Sequence, residues 1–395
     1  MTHKDTTKSC NACGTSPMNH KVLFTFNVLE ETLGKLGEIM MKLSKNQRLV
    51  NYFEKVLHNT LSLVGIVRFN TDMEKAVTGR SKLIWEEAKR RSLKMEQIII
   101  FGKPIEHYRV HINGKDFYFE SLPIPPWLPQ RGYAWIDDKF KLARLLQKEN
   151  IPAPKSIKIR TRRSTEKAFD LLNKPLIIKP KNGSRGRHTT TNINTKEEAI
   201  KAFNLGYQIT PSMVIQEHLF GSVYRATVIN NKLVGFFRGD PPNVTGNGKS
   251  TILELIEEKN KNHHPLLSNI EINNELVTFI KRQDYTLESV LEKDTAINLI
   301  AKTGRMYGGY TKEMLPDVHP KIHEIFKKAG QVLEAPVIGF DLIIEDPTLD
   351  PDTQRFGIIE ANSLPFIDLH YFALEGTPIN LAENVWDLWK DPHPQ

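Results

Sequence analysis

The chain has 395 residues, 39% apolar and 25% charged, and its 54 Lys and Arg against 46 Asp and Glu give a formal charge of +8. This balance excludes disordered and fibrous chains and suits two or three packed units. The basic residues are spread along the sequence rather than gathered into a block. That pattern favours an anionic small molecule as partner over nucleic acid.

The N-terminus is polar up to about residue 20, lacks an apolar signal core, and reads as a mobile tail. Its Cys10 and Cys13 are the only two cysteines, so no disulfide framework supports the fold and a reducing compartment is expected. With His3 and His20 the C-x-x-C pair has the makings of a zinc site, although a plain polar tail is the simpler reading. No apolar run approaches the roughly 20 residues of a membrane span, so a cytoplasmic protein with no membrane partner is expected.

From about Asn27 to Arg91 apolar residues recur at three- and four-residue steps (Leu29, Leu33, Leu36, then Tyr52, Phe53, Val56), which predicts amphipathic helices. Glu96 to Phe101 reads as a strand. Tyr108 to Ile112 and Lys115 to Phe119 form a hairpin about Asn113-Gly114, a residue pair favoured in tight primed turns. Leu122 to Pro129 holds four prolines, can sustain neither a helix nor a central strand, and marks a domain junction. Asp137 to Asn150 is then helical, stopped by Ile151-Pro152-Ala153-Pro154. Further strands are predicted at Leu176–Lys179, Ser212–Glu217, Ala226–Ile229 with Leu233–Phe236 across Asn230-Asn231, Ile338–Ile344 and Phe356–Ala361. The fold class is a mixture of α+β and α/β, divided into a tail (1–20), an N-terminal domain (21–130) and a larger domain (131–395). The larger domain separates into a loop-bearing half (about 155–235) and a C-terminal half (about 236–395).

Two segments carry chemistry. In the first, the strand Leu176-Ile177-Ile178-Lys179 runs into Pro180-Lys181-Asn182-Gly183-Ser184-Arg185-Gly186-Arg187. Glycines three apart let backbone N–H groups approach phosphate oxygens, Ser184 adds a donor, and Lys179 supplies a point charge. An ordinary hairpin with solvated Arg185 and Arg187 explains the same residues, and no GK[ST] follows to make a P-loop. In the second, Asp341 ends one apolar strand and Glu360 with Asn362 ends another. Alternation puts Glu360 and Asn362 on one face, and an antiparallel neighbour bearing Asp341 completes a set of hard oxygens suited to a divalent cation.

These residues resemble the ATP-grasp ligases, and within them the ATP-grasp module of cyanophycin synthetase and the related glutathione synthetase and D-alanine–D-alanine ligase-like enzymes. The resemblance runs from about Tyr133 to Trp389. It takes in Asp138-Lys139 at a helix start, Val214 to Leu219 before Gly221, Tyr224-Arg225, Gly246 to Ile252 and Leu369-His370-Tyr371. It implies that ATP lies between two α+β subdomains, with the Gln216, Glu217, His218 and Leu219 segment reading adenine. Lys139 and Lys179 would hold phosphates, and the loop Gly183, Ser184, Arg185 and Gly186 would close as a lid. Asp341, Glu360 and Asn362 would bind Mg2+, with Mn2+ as a substitute. The implied reaction joins an amino acid or peptide carboxylate to an amine through an acylphosphate.

Arg225 and Arg305 are the better candidates for anion and oxyanion contacts, ahead of Arg238, and His370 is expected to line the acceptor pocket. Three departures bear on the carry-over. Val223 stands where many relatives place a ribose-binding acid, the segment 303–312 is longer than a compact double-glycine loop, and no second ligase domain is expected after Trp389. A homo-oligomer is compatible with the sequence. The competing readings are a small-molecule kinase on the same scaffold and a non-catalytic nucleotide sensor or nucleic-acid binder.

Overall fold

The computed structural model describes residues 10, 12, 19–29, 66–128, 136, 138–181, 187–281 and 283–390. Most of the helical pattern expected between Asn27 and Arg91 lies outside them. Within that stretch Val67–Asn70 is a strand (β1) and Gly79–Arg90 a helix. The strand corrects the all-helical reading: Val67 is 1% exposed, and Val67 to Asn70 pair with Ile100 to Gln97 at the edge of a sheet. An alternating quartet of this kind carries too few residues to reveal its period against a helical background.

β1 joins Lys94–Ile100 (β2), Lys103–Ile112 (β3) and Lys115–Glu120 (β4) in the order β1-β2-β3-β4. Asn113 and Gly114 both take positive φ, 50° and 76°, and close the predicted β3–β4 turn. The helix Gly79–Arg90 covers this sheet. Its Trp85, with Tyr108 and Phe119, shares a core with Val337, Val385 and Trp386 from the far end of the chain. Two indole N–H groups tie the ends together, Trp386 to the Ile84 carbonyl at 2.9 Å and Trp389 to that of Pro123 at 2.7 Å. No helix or strand crosses the proline-rich stretch over its described residues.

A second sheet holds Ser156–Ile159 (β5), Leu176–Pro180 (β6), Thr190–Ile193 (β7) and Met213–Glu217 (β8) in the order β5-β8-β6-β7. The helices Arg162–Leu171 and Lys196–Gly206 pack on it through Phe169, Phe203 and Ala199. Capping boxes start both, Thr161 with Ser164 and Thr195 with Glu198, each satisfying N–H groups that a helix start leaves bare.

The largest sheet runs β13-β10-β9-β14-β15, from Thr311–Glu313 (β13), Lys232–Gly239 (β10), Ser222–Ile229 (β9), Val337–Ile344 (β14) and Gly357–Asn362 (β15). Every described strand pairing is antiparallel, so the α+β member of the expected pair of classes is the one formed. Asn230 and Asn231, both at positive φ, turn β9 into β10 as predicted. Gly221 (φ +121°) precedes β9 because an added Cβ would lie 2.4 Å from the Ile344 carbonyl oxygen. Alternation sends Tyr224, Ala226, Val228, Phe340 and Leu342 into a core shared with Phe326 of the helix Pro320–Leu333 and Leu142 of the helix Lys139–Lys148. The opposite face, carrying Arg225 and Asp341, is left for chemistry.

A smaller unit pairs Asn243–Thr245 (β11) with Ala296–Asn298 (β12) beneath the helices Ile252–Asn262 and Asn274–Lys281. Among the described residues no helix is long and apolar enough to cross a membrane.

Candidate active site

Register builds the site. Asp341 on β14 stands opposite Arg225 of β9 on one side and Glu360 of β15 on the other, so the three form a row across neighbouring strands on one face. The Arg225 guanidinium donates Nε to Asp341 Oδ1 at 2.5 Å and Nη2 to Oδ2 at 3.0 Å, a two-pronged pairing that a planar fork permits. Glu360 Oε1 lies 3.3 Å from Lys139 Nζ. Lys139 is placed there by its helix, whose N-cap Asp138 accepts from the N–H groups of Phe140 and Lys141. Asp341 and Glu360 keep 20% and 27% of their side-chain surface exposed, so the acids remain open to solvent and ligands.

The second sheet contributes the opposing charge. Lys179, near the end of β6, is buried, and burial first and the Lys139 charge second pull its ammonium down from 10.5 to about 8, against support from Glu360 and Asp341. Lys181, just beyond, reaches Asp138 at 3.0 Å and ties the second sheet to the helix that carries Lys139. Lysines from the helix Lys139–Lys148 and from the second sheet thus converge on a pair of carboxylates, with each sign held close by the other.

Two acids and an amide fit a hard divalent cation by the chemistry of their oxygens. The donors are oxygens from Asp341, Glu360 and Asn362, and Glu360 and Asn362 stand two residues apart on one face of β15. Asn362 Nδ2, a hydrogen-bond donor, is buried with no partner among the described residues.

The segment after β6 that holds Gly183, Ser184, Arg185 and Gly186 falls outside the described residues. On β8, the Gln216 side chain donates to Ser156 Oγ at 2.6 Å, and Glu217 Oε1 accepts from the backbone N–H and side-chain amide of Asn173. The N–H groups of Glu217 and His218 bond to the Lys155 and Pro175 carbonyls. His218 Nδ1, by contrast, is buried without a partner among the described residues, and burial lowers its pKa. Glu217, His218 and Leu219 border a cavity of about 350 Å³ whose far wall includes Pro154, Arg355 and Phe356.

Arg305 lies on a short 3-10 turn between Gly304 and Gly308, both at positive φ, with its guanidinium 4.9 Å over the Phe372 ring. Arg238 pairs with Asp240 at 2.8 Å and is 39% exposed, a local surface pair. His370 requires a correction. It is fully buried, with Nε2 2.7 Å from Thr227 Oγ1 and Nδ1 2.5 Å from Glu313 Oε2, and fills the space that Gly235 leaves by lacking a Cβ. It cannot line a pocket for an acceptor and instead holds a buried acid by a hydrogen bond beneath the sheet.

Two charged residues near Arg305 had no signal in the sequence. Asp368 Oδ1 is buried without a hydrogen-bond partner among the described residues, and burial raises its pKa while Arg305 and Arg80 pull it down. Arg80, from the N-terminal helix, stacks on Phe366 and donates to the Leu364 and Pro365 carbonyls. Only the folded chain brings residues so far apart together, and no local pattern marks them.

Residues 136–237 match the family model described as an ATP-grasp domain, which contains Lys139, Lys179 and Arg225. Over these residues the chain is similar to an ATP-grasp domain. Among curated relatives it is 32% identical over 260 residues to a cyanophycin synthetase of Synechocystis sp., covering 64% of this chain and 30% of that protein. It is 26% identical over 329 residues to a glutathione biosynthesis bifunctional protein of Listeria monocytogenes, covering 79% and 41%. The chain therefore spans well under half of the length of these relatives. Among solved structures, a bifunctional glutathione synthetase from Pasteurella multocida aligns over 79% of this chain and 44% of its own, with a TM-score of 0.56 at 21% identity.

Proposed function

We propose that the protein is an ATP-dependent ligase that joins an amino acid or peptide carboxylate to an amine through an acylphosphate, releasing ADP and phosphate. One observation carries the reading: the row Arg225, Asp341, Glu360 and Lys139 on an open sheet face, met from the second sheet by Lys179. The relatives' names, a synthetase of cyanophycin and a glutathione biosynthesis protein, agree in kind.

Asp341, Glu360 and Asn362 would hold Mg2+, or Mn2+, which when bound supplies charge neutralisation to the triphosphate. Lys139 and Lys179 bind phosphate oxygens and hold the transferred group in place, since desolvated ammonium groups act strongly on developing charge. Arg225, paired with Asp341 in this structure, would be free to grip the substrate carboxylate in a two-pronged fashion once Asp341 held the cation. The backbone beyond His218 and the His218 ring offer contacts to adenine beside the cavity at Pro154 and Phe356. By its resemblance, the segment with Gly183, Ser184, Arg185 and Gly186 would serve to exclude water, which would protect an acylphosphate from hydrolysis. Arg305, with Arg80 and Asp368 near it, faces the acceptor amine or its carboxylate. The domain limits of 21–130 and 131–395 belong to the same reading, as does work in the cytoplasm, where ATP and reduced thiols are at hand.

The test is a screen of amino acids and dipeptides for ADP release with Mg2+, with hydroxylamine added to trap the activated acid. Acyl hydroxamate formation by the native chain and its loss in Glu360→Ala support the ligase. ADP release with no hydroxamate and a stable phosphorylated product would favour a kinase.

A further inference from the structure

Cys10, the first cysteine of the C-x-x-C pair, is set against residues distant in sequence. Cys10 Sγ lies 3.8 Å from His188 Nε2, 178 positions away in sequence, and the ligating atoms of Cys10, His20 and His188 all fall within 4.8 Å of one another. Tetrahedral zinc, with Zn–S of about 2.3 Å and Zn–N of about 2.0–2.1 Å, holds sulfur and nitrogen about 3.6 Å apart. The observed spacing needs only small side-chain movement to meet this. His188 Nδ1 donates to the Leu205 carbonyl at 2.8 Å, which fixes the tautomer and leaves the Nε2 lone pair directed toward the thiol. That second hydrogen bond is the usual companion of a metal-binding imidazole.

The placement is supported on all sides. His188 is 1% exposed, and it adopts positive φ (51°), a conformation non-glycine residues hold only where their surroundings impose it. Its backbone N–H bonds to the Ala12 carbonyl at 3.0 Å, so the tail runs directly against it. The His20 ring meets the His188 ring edge-on at 4.9 Å, at the start of a helix over residues 20–29.

We infer that Cys10, His20 and His188 bind a zinc ion that fastens the N-terminal segment to the second sheet, at the arm returning from the glycine loop. A thiolate with two imidazoles suits zinc and not the hard cation of the oxygen cleft, so the two sites would not exchange ions. His188 lies two residues past Gly186 and two before β7, which makes the zinc an anchor for the base of that loop. The fourth position falls to water, as in sites with three protein ligands.

The full chain, purified under reducing conditions and passed through metal-free buffer, tests this by elemental analysis and cobalt(II) substitution. Retention of stoichiometric zinc is expected, together with a cobalt spectrum showing tetrahedral bands and a thiolate charge-transfer band. Cys10→Ser, at a half-buried position, should keep native circular dichroism but lose the charge-transfer band and most of the zinc, and His188→Asn should also lose the metal. Zinc should slow hydrogen exchange at residues 19–29 and 187–193. Absence of retained zinc and of the cobalt–thiolate band in the native chain would overturn the proposal, as would Cys10→Ser binding zinc unchanged or exchange at those residues indifferent to zinc. None of these readouts involves ATP turnover, so their failure leaves the ligase reading standing, and failure of that reading leaves them intact.

Discussion

Replacing Lys179 with methionine should make the protein more stable and at the same time less able to hold ATP. The side chain sits almost wholly out of water beside Lys139, and its ammonium is pulled from 10.5 to about 8. At about 1.4 kcal/mol for each pH unit of displacement, keeping that charge in the cleft costs the fold about 3 kcal/mol. The sign follows from the direction. The folded pKa lies below the unfolded one, so the penalty is present in full below about pH 8 and fades as pH rises above it. Methionine has similar length and no charge, so Lys179→Met removes the penalty and should raise the midpoint of thermal unfolding by several degrees at pH 7 without nucleotide. The lost phosphate contact should weaken ATP binding at least tenfold, since truncating one partner of a buried charge contact costs about 2–5 kcal/mol. Differential scanning fluorimetry and isothermal titration with ATP and Mg2+ read the two effects separately. A destabilised variant that binds ATP as before would show Lys179 to be a structural residue and refute the reasoning.

Other consequences can be checked alongside. ATP should raise the Lys179 pKa by supplying the oxygens that burial removed, with Lys139, Glu360 and Asp341 the charged groups that face it. Affinity should then be full below about pH 8 and fall above it, approaching about tenfold per pH unit for a single linked proton, and titrations in Lys179→Met should lack that slope. The buried contact of His370 with Glu313 predicts a structural defect: His370→Ala leaves the Glu313 side chain with its bonds to the Phe236 and Leu315 N–H groups but without the imidazole bond. Chemical denaturation should report a loss of about 1–3 kcal/mol from the buried group left without its partner, and an unchanged midpoint would contradict the assignment. Phe326→Ala, emptying a fully buried ring site between the helix Pro320–Leu333 and the large sheet, should cost about 3–5 kcal/mol in the same assay.

What could be read from the sequence was whatever local rules control. That Asp341 stands beside Glu360 on a neighbouring strand, with Asn362 two residues on, was legible because polar residues at the ends of apolar strands violate the pattern around them and strand alternation puts Glu360 and Asn362 on one face. The paired asparagines at 230 and 231 and Asn113-Gly114 were legible because few other residues accept positive φ in succession. β1 was not, because four residues next to a helical stretch do not display a period. His370 was misassigned because its surroundings depend on Gly235 and Glu313, which approach it only through the sheet. Arg80 and Asp368 were missed for a similar reason, and so was the meeting of Cys10 with His188: each contact joins segments that no sequence window contains.

The account stands on a cluster of acids that positions a nucleotide for attack on its γ-phosphoryl group. The most direct measurement is single-turnover formation of ADP by the native chain and by Glu360→Ala, with Mg2+, a reactive amino acid or dipeptide from the screen, and hydroxylamine. The native chain should yield ADP and acyl hydroxamate in equal amounts, and the variant should fold normally and yield neither. Full turnover by Glu360→Ala, or ADP formed by the native chain with no trapped acid for any substrate, would contradict it.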